Sequence, residues 1–263
     1  MFIYPEFDPI AVELGPLAVR WYGLMYVIGI LGGWWLGRVQ SRRSWSPLTA
    51  LQVDDMVTWI ALGVILGGRF GSVLFYNFGT FLGDPLMLLR IWEGGMSFHG
   101  GLLGVCVAMW LYGRRIGVNF WTLTDFIAPV VTIGLGAGRV GNFINGELWG
   151  KATDVSWAVV VNGVPRHASQ LYEAALEGLV LFVILWAFAA RQRPRMAISG
   201  LFGVGYGVAR FGVEFVRLPD DHIGYMAGDW LTRGQILTLP MIILGTVLLV
   251  LAYRRADTET DPK

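Results

Sequence analysis

The chain has 263 residues, 55% of them hydrophobic and only 15% charged, with 12 Trp, 36 Gly and a formal net charge of +1. Its mean hydropathy is +0.56. This composition excludes an ordinary soluble domain and a basic nucleic-acid binder, and it reads as an integral membrane protein.

One cysteine, Cys106, excludes an internal disulfide, and in its apolar stretch it reads as a small buried hydrophobe. His99, His167 and His222 stand too far apart for metal-ligand spacing, so no metal and no cofactor is expected. Met1 to Pro16 carries Glu6, Asp8 and Glu13 but no basic residue, the reverse of a signal peptide's leading region, and is expected to stay uncleaved.

A spanning helix needs about 20 mostly apolar residues. Seven segments answer to this: Leu17 to Leu36, Met56 to Phe75, Ser97 to Tyr112, Thr124 to Gly141, Ser169 to Ala190, Ser199 to Val216, and Ile236 to Tyr253. Pro129 and several glycines interrupt the fourth, a break that membrane helices tolerate. Within an external segment 77–96, Pro85 to Trp92 is apolar but too short to span and reads as a helix in the outer interface. Within an external loop 142–168, Trp157 to His167 alternates about Asn162-Gly163, a strong hairpin signal. The expected fold is an all-α polytopic membrane protein, one integral membrane domain over 1–263. It has seven transmembrane helices and a small external cap that includes a short β-hairpin.

Basic residues set the orientation. Arg38, Arg42, Arg43, Arg114, Arg115, Arg191, Arg193, Arg195, Arg254, Arg255 and Lys263 gather on one side of this topology, which places the N-terminus outside and the C-terminus in the cytoplasm.

An ionisable side chain at the centre of a membrane helix costs on the order of 3 kcal/mol, so each one invites a functional reading. With the predicted orientation, Tyr22, Arg69, His99, Arg139, Asn142, Glu147, Glu173, Glu177, Arg210, Glu214 and Arg217 all fall toward the outer leaflet. Asp54, Asp55 and Asp125 instead sit at inner helix starts, where a carboxylate complements the helix dipole. Structural roles stay open for several of the outer set. Arg210 and Glu214, one turn apart, can neutralise each other; Arg217 can snorkel to the interface; His99 can donate to a neighbouring carbonyl. Their coincidence at one depth favours a site.

Arginines in a low-dielectric setting hold phosphate bidentately, which suits a phospholipid head group. A histidine can take a proton from a thiol, whose own pKa of about 8.5 leaves it a poor nucleophile at neutral pH. Ser97 precedes His99 by two residues, but the run Gly95-Met96-Ser97-Phe98-His99 lacks the glycine that closes a nucleophile elbow.

The run Gly138-Arg139-Val140-Gly141-Asn142-Phe143-Ile144-Asn145-Gly146-Glu147-Leu148-Trp149-Gly150 resembles the signature of the prolipoprotein diacylglyceryl transferase family. So do Arg20-Trp21-Tyr22-Gly23, Gly94 to Gly101, Ser169-Gln170-Leu171-Tyr172-Glu173, and Gly205-Tyr206-Gly207 through Arg210, Glu214 and Arg217. The chain departs from the family pattern at Ala168, where Pro often precedes Ser169, and in a short segment between Gly150 and His167.

The resemblance implies a bacterial inner-membrane enzyme. It would move the diacylglyceryl group of phosphatidylglycerol onto the lipobox cysteine of a prolipoprotein signal peptide, forming a thioether and releasing glycerol 1-phosphate. It further implies His99, Arg139 and Arg210 as catalytic residues. Arg139, Asn142, Glu147, Tyr22, Tyr206, Glu214 and Arg217 would bind phosphatidylglycerol. A phospholipid transporter or flippase, a membrane scaffold, and an intramembrane hydrolase using Ser97 and His99 are the alternatives. A transporter favours internal repeats and a midplane site, neither of which the sequence displays.

Overall fold

The computed structural model describes residues 1–15, 17–90, 94–219, 224–228 and 230–260, without the side chains of residues 14, 17, 225, 227 and 257–260. The chain divides into two compact units: Met1–Leu36 with Thr124–Lys263, and Gly37–Leu123.

The first unit contains short strands as well as helices. β1 (Phe2–Ile3) runs parallel to β4 (Val159–Val161), which pairs antiparallel with β5 (Val164–Arg166). The turn between β4 and β5 is the expected one: Asn162 and Gly163 have φ of 50° and 77°, the paired positive values that a tight hairpin of this hand requires. β2 (Ile10–Leu14) and β3 (Leu17–Arg20) form a second hairpin, and β6 (Tyr225–Ala227) with β7 (Leu231–Thr232) a third. Leu17 to Arg20 is therefore strand, and α1 (Trp21–Gln40) starts four residues later than the apolar run suggests.

α5 (Phe120–Ile144) carries Pro129 in its interior. α6 (Ser169–Glu173) continues through a π-helical segment, Ala174–Val180, into α7 (Leu181–Phe188) as one rod. α8 (Ala197–Val213) and α9 (Arg233–Thr260) complete the unit. Small residues let these helices close up. A Cβ at Gly178 would lie 2.7 Å from Gly136 Cα, and one at Gly200 would lie 2.8 Å from the Gly245 carbonyl. Asp125 complements a helix dipole, though not its own helix's. Its carboxylate accepts from the backbone of Met196 at 2.6 Å and Ser199 at 2.7 Å, capping the start of α8.

In the second unit, α2 (Ala50–Tyr76) opens with a capping box in which Thr49 and Gln52 serve each other's backbone N–H. α4 (Phe98–Ile116) is capped by Ser97 and stopped by Gly117 at φ 71°. α2 and α4 pack through glycines at four-residue intervals. A Cβ at Gly67 would fall 2.4 Å from the Gly100 carbonyl, and one at Gly71 would fall 2.6 Å from Gly100 Cα. Between them, α3 (Phe78–Gly83) leads to a 3-10 turn, Pro85–Leu88. The turn occupies the start of the expected interfacial helix; Leu89 and Arg90 after it are not helical, and 91–92 lie outside the described residues.

Four helices among the described residues are long and apolar enough to cross a membrane: Ala50–Tyr76, Phe120–Ile144, Ser169–Phe188 and Arg233–Ala256. α1 and α4, at 20 and 19 residues, are diluted by glycine, tryptophan and basic side chains, and α8 is apolar but shorter. Leu237, Ile243, Leu244, Val247 and Val250 of α9 are exposed, an outward apolar face suited to lipid.

Candidate active site

Every group of the central cluster in the first unit comes from a helix or the turn that follows it. α5 supplies Arg139, the α6 rod supplies Glu173 and Glu177, and α8 with the turn beyond it supplies Arg210, Glu214 and Arg217. Glu173 and Glu177 are 1% and 0% exposed. A carboxylate so deep is costly unless cations and donors surround it.

Glu173 is the hub. Its Oε2 lies 3.0 Å from Arg139 Nε, and its Oε1 accepts from Arg217 Nη1 at 2.8 Å and also from Arg210 Nη1. Glu177 stands farther off, 3.5 Å from Arg139 Nη2 and 4.0 Å from Arg210 Nη1. Glu214 takes the other side of Arg210 through Nη2 and lies 3.8 Å from Arg217 Nε. The pairing of Arg210 with Glu214 foreseen from their spacing is real, but it is one edge of a larger network.

Three arginines and three glutamates balance in formal charge. Their contacts occupy only part of the N–H donors that three guanidiniums carry, leaving capacity for an anionic ligand. Tyr206 lies beside Arg139, Glu177 and Arg210.

The start of α9 closes one side. Thr232 and Gln235 cap each other there, and Thr232 Oγ1 donates to Glu214 Oε2 at 2.6 Å. A Cβ on Gly234 would fall 2.6 Å from the Glu214 carboxylate, so only glycine lets the helix come this near. A cavity of about 60 Å³ opens here, with Arg210, Glu214, Arg217, Thr232, Arg233 and Gly234 among its lining residues.

The signature run folds as the end of α5 and the loop after it. Asn142 Nδ2 donates to Glu147 Oε1 at 2.7 Å, and the Gln170 side-chain amide donates to the Glu147 carbonyl. The Tyr4 hydroxyl lies 2.9 Å and 2.8 Å from the carbonyls of Phe143 and Ile144, which end the helix. Burial, then the nearby Glu6 carboxylate, raise the pKa of Tyr4 and keep it a donor. Tyr22 packs on the same helix end, where a Cβ at Gly141 would meet its ring at 2.9 Å. Gly150 joins the loop to the site by a β-bridge with Arg217.

His99 belongs to the second unit, exposed on the first turn of α4 with its ring edge-on to Phe98 at 5.6 Å. It makes no hydrogen bond or ion pair among the described residues. Ser97 accepts from the Gly100 N–H as the α4 cap, at 3.2 Å. Among the described residues, Arg69 pairs with no carboxylate. It is 5% exposed and donates to the carbonyls of Met87, Leu88, Arg90, Gly94 and Gly95, holding that segment to α2.

The sequence put Glu173 and Glu177 in the outer polar set but assigned neither the central part that it plays. Thr232, Gly234 and Gln235 were missed. Their signal was the Thr-x-x-Gln spacing of a capping box ahead of an apolar run.

Helices of spanning length, an outward apolar surface and a buried arginine–glutamate centre define a helical membrane protein with a polar site. The sequence model of the family described as prolipoprotein diacylglyceryl transferase matches residues 9–251. A relative from Methylococcus capsulatus is 62% identical over 259 residues, covering 97% of this chain and 99% of its own. Relatives from Solidesulfovibrio magneticus and Ectopseudomonas mendocina are each 56% identical, covering 99% and 98% of this chain and 100% and 99% of their own. All three carry the name phosphatidylglycerol-prolipoprotein diacylglyceryl transferase. The chain belongs to the prolipoprotein diacylglyceryl transferase family, and it is a transferase.

Proposed function

We propose that this chain transfers the diacylglyceryl group of phosphatidylglycerol to the lipobox cysteine of a prolipoprotein. The observation that carries the reading is the Arg139–Glu173–Arg210 centre, buried among apolar helices in a member of this family. Phosphatidylglycerol combines two acyl chains with a phosphate, and the centre combines lipid-facing helices with guanidiniums that have donors to spare.

In the reaction, the substrate sulfur forms a bond to the glyceryl carbon. The bond from that carbon to the phosphate oxygen breaks, and its electron pair leaves on glycerol 1-phosphate. The thiol proton passes to His99. Arg139 and Arg210 hold the phosphate and meet its growing charge, while Glu173 and Glu177 fix both guanidiniums in place. Asn142, Glu147, Tyr22, Tyr206, Glu214 and Arg217 orient the head group and its partners.

The chain works as one membrane domain in the bacterial inner membrane, with seven spans, an external N-terminus and the site toward the outer leaflet. Helices at all seven expected positions and basic residues at their inner ends support that reading. A signal peptide keeps its basic end inside, so its cysteine emerges on the side where this topology puts the site. Incubating the purified protein with phosphatidylglycerol and a lipobox peptide should add a diacylglyceryl mass to the cysteine. No gain, with both substrates present and the protein folded, overturns the reading.

A further inference from the structure

The cavity at the start of α9 has one charged wall residue with no partner among the described residues, Arg233. The other charged groups around it are committed. Glu173 holds Arg210 and Arg217, Glu214 holds Arg210, and Thr232 pins Glu214 at 2.6 Å. Gly234 prevents the carboxylate from being crowded out. Arg233 is exposed and follows the capping residue Thr232, so it adds a positive charge that no described carboxylate cancels. Among the described residues, Glu173 and Glu214 already offset Arg210 and Arg217 of the lining, and the charge of Arg233 is the one left over. The positive end of α9 adds to the same field.

A space of about 60 Å³ is enough for a few waters or one phosphate group. The ligand it suits is a small, doubly charged phosphate.

We propose that this cavity is the leaving-group subsite and that Arg233 is its ligand for a phosphate monoester. The proposal rests on the transfer reading above. Phosphatidylglycerol carries one negative charge on a diester; once the carbon–oxygen bond breaks, the departing monoester gains most of a second charge near pH 7. Arg139 and Arg210 serve the diester, and Arg233 answers the added charge as it appears. Arg233 therefore discriminates the product phosphate from the substrate phosphate.

The test uses the purified full chain in detergent and measures binding of four probes without transfer: sn-glycerol 1-phosphate, inorganic phosphate, glycerophosphoglycerol as the diester, and glycerol. Wild type is expected to bind both doubly charged phosphates, more weakly as salt rises, and not to bind glycerol. Arg233→Gln should weaken both of these by about tenfold or more, with Arg233→Lys in between, and the diester by much less. An unchanged melting temperature checks that the variants fold. Monoester binding unaffected by Arg233→Gln, or absent in wild type, overturns the subsite, and equal losses for monoester and diester overturn its preference for product. Arg233-dependent binding in a protein that adds no mass to a lipobox peptide defeats the transfer reading alone. Normal transfer with no Arg233 effect on binding defeats the subsite alone.

Discussion

Arg139 Nε lies 3.0 Å from Glu173 Oε2, and the carboxylate that receives it is 1% exposed. Because the same carboxylate also holds Arg210 and Arg217, its loss frees three cations at once. Removing one partner of a buried ion pair costs about 3–5 kcal/mol. Glu173→Gln should lower the melting temperature in detergent and reduce transfer by more than about a hundredfold. A variant with wild-type turnover would remove Glu173 from the site.

Charge alone is not what Arg139 and Arg210 supply. Arg139 reaches two glutamates and Arg210 three, each in a fixed fork that a lysine cannot reproduce. Arg139→Lys and Arg210→Lys should stay folded yet lose about a hundredfold or more in kcat with phosphatidylglycerol, and the Ala variants should lose transfer altogether. Rates near wild type in the Lys variants would reduce both residues to point charges.

Gly234→Ala tests how tightly α9 must approach the site. The added methyl would fall 2.6 Å from the Glu214 carboxylate and push it off Arg210 and Thr232. Activity should fall at least about tenfold while stability falls by about 1–3 kcal/mol, the usual cost of overpacking. Ordinary activity here would mean that Glu214 has room to move.

The glycine contact between α2 and α4 predicts a loss of stability without a polar cause. Gly67→Ala forces the helices apart where a Cβ would sit 2.4 Å from a carbonyl. Thermal unfolding should begin earlier than in Gly79→Ala, where nothing lies within 4 Å.

His167, outside the spanning helices, has Nδ1 3.1 Å from the Tyr172 hydroxyl, and burial lowers its pKa from the usual value near 6.5. The unfolded chain then takes up this proton at a higher pH than the folded one. The histidine's contribution to stability is complete above about pH 6.5 and is lost as pH falls from there toward the lower folded value. Between pH 7 and 5 the melting temperature of wild type should fall more steeply than that of His167→Asn. Parallel slopes would assign the acid sensitivity elsewhere.

The sequence exposed the site through cost. Arg139, Arg210 and Arg217 stood out because apolar surroundings penalise cations, and the Asn162-Gly163 turn stood out because its backbone geometry needs those residues. The partners were harder to read. Glu173 reaches Arg139 and Arg210 across helices, and no local periodicity encodes which helices will be neighbours. Asp125 was read for its own helix, although its carboxylate serves the start of α8. Leu17 to Arg20 joined an apolar run by hydropathy, which does not distinguish a strand leading into a helix from the helix itself. Arg69 shared the cost signal with the other arginines, yet among the described residues its donors go to carbonyls of one segment.

The π-helical stretch Ala174–Val180 has a further effect on the rod that contains it. In a regular α-helix, side chains four residues apart creep around the axis by about 40° per step. A wider turn takes up that creep. Glu173, Glu177, Leu181 and Leu185 are all 1% exposed or less, so one straight stripe runs from two carboxylates to two leucines. The rod can therefore anchor cations at one end and pack as an ordinary hydrophobic helix at the other, without coiling around its neighbours. Deleting one residue from the stretch would restore the creep and swing the leucines out of line with the glutamates.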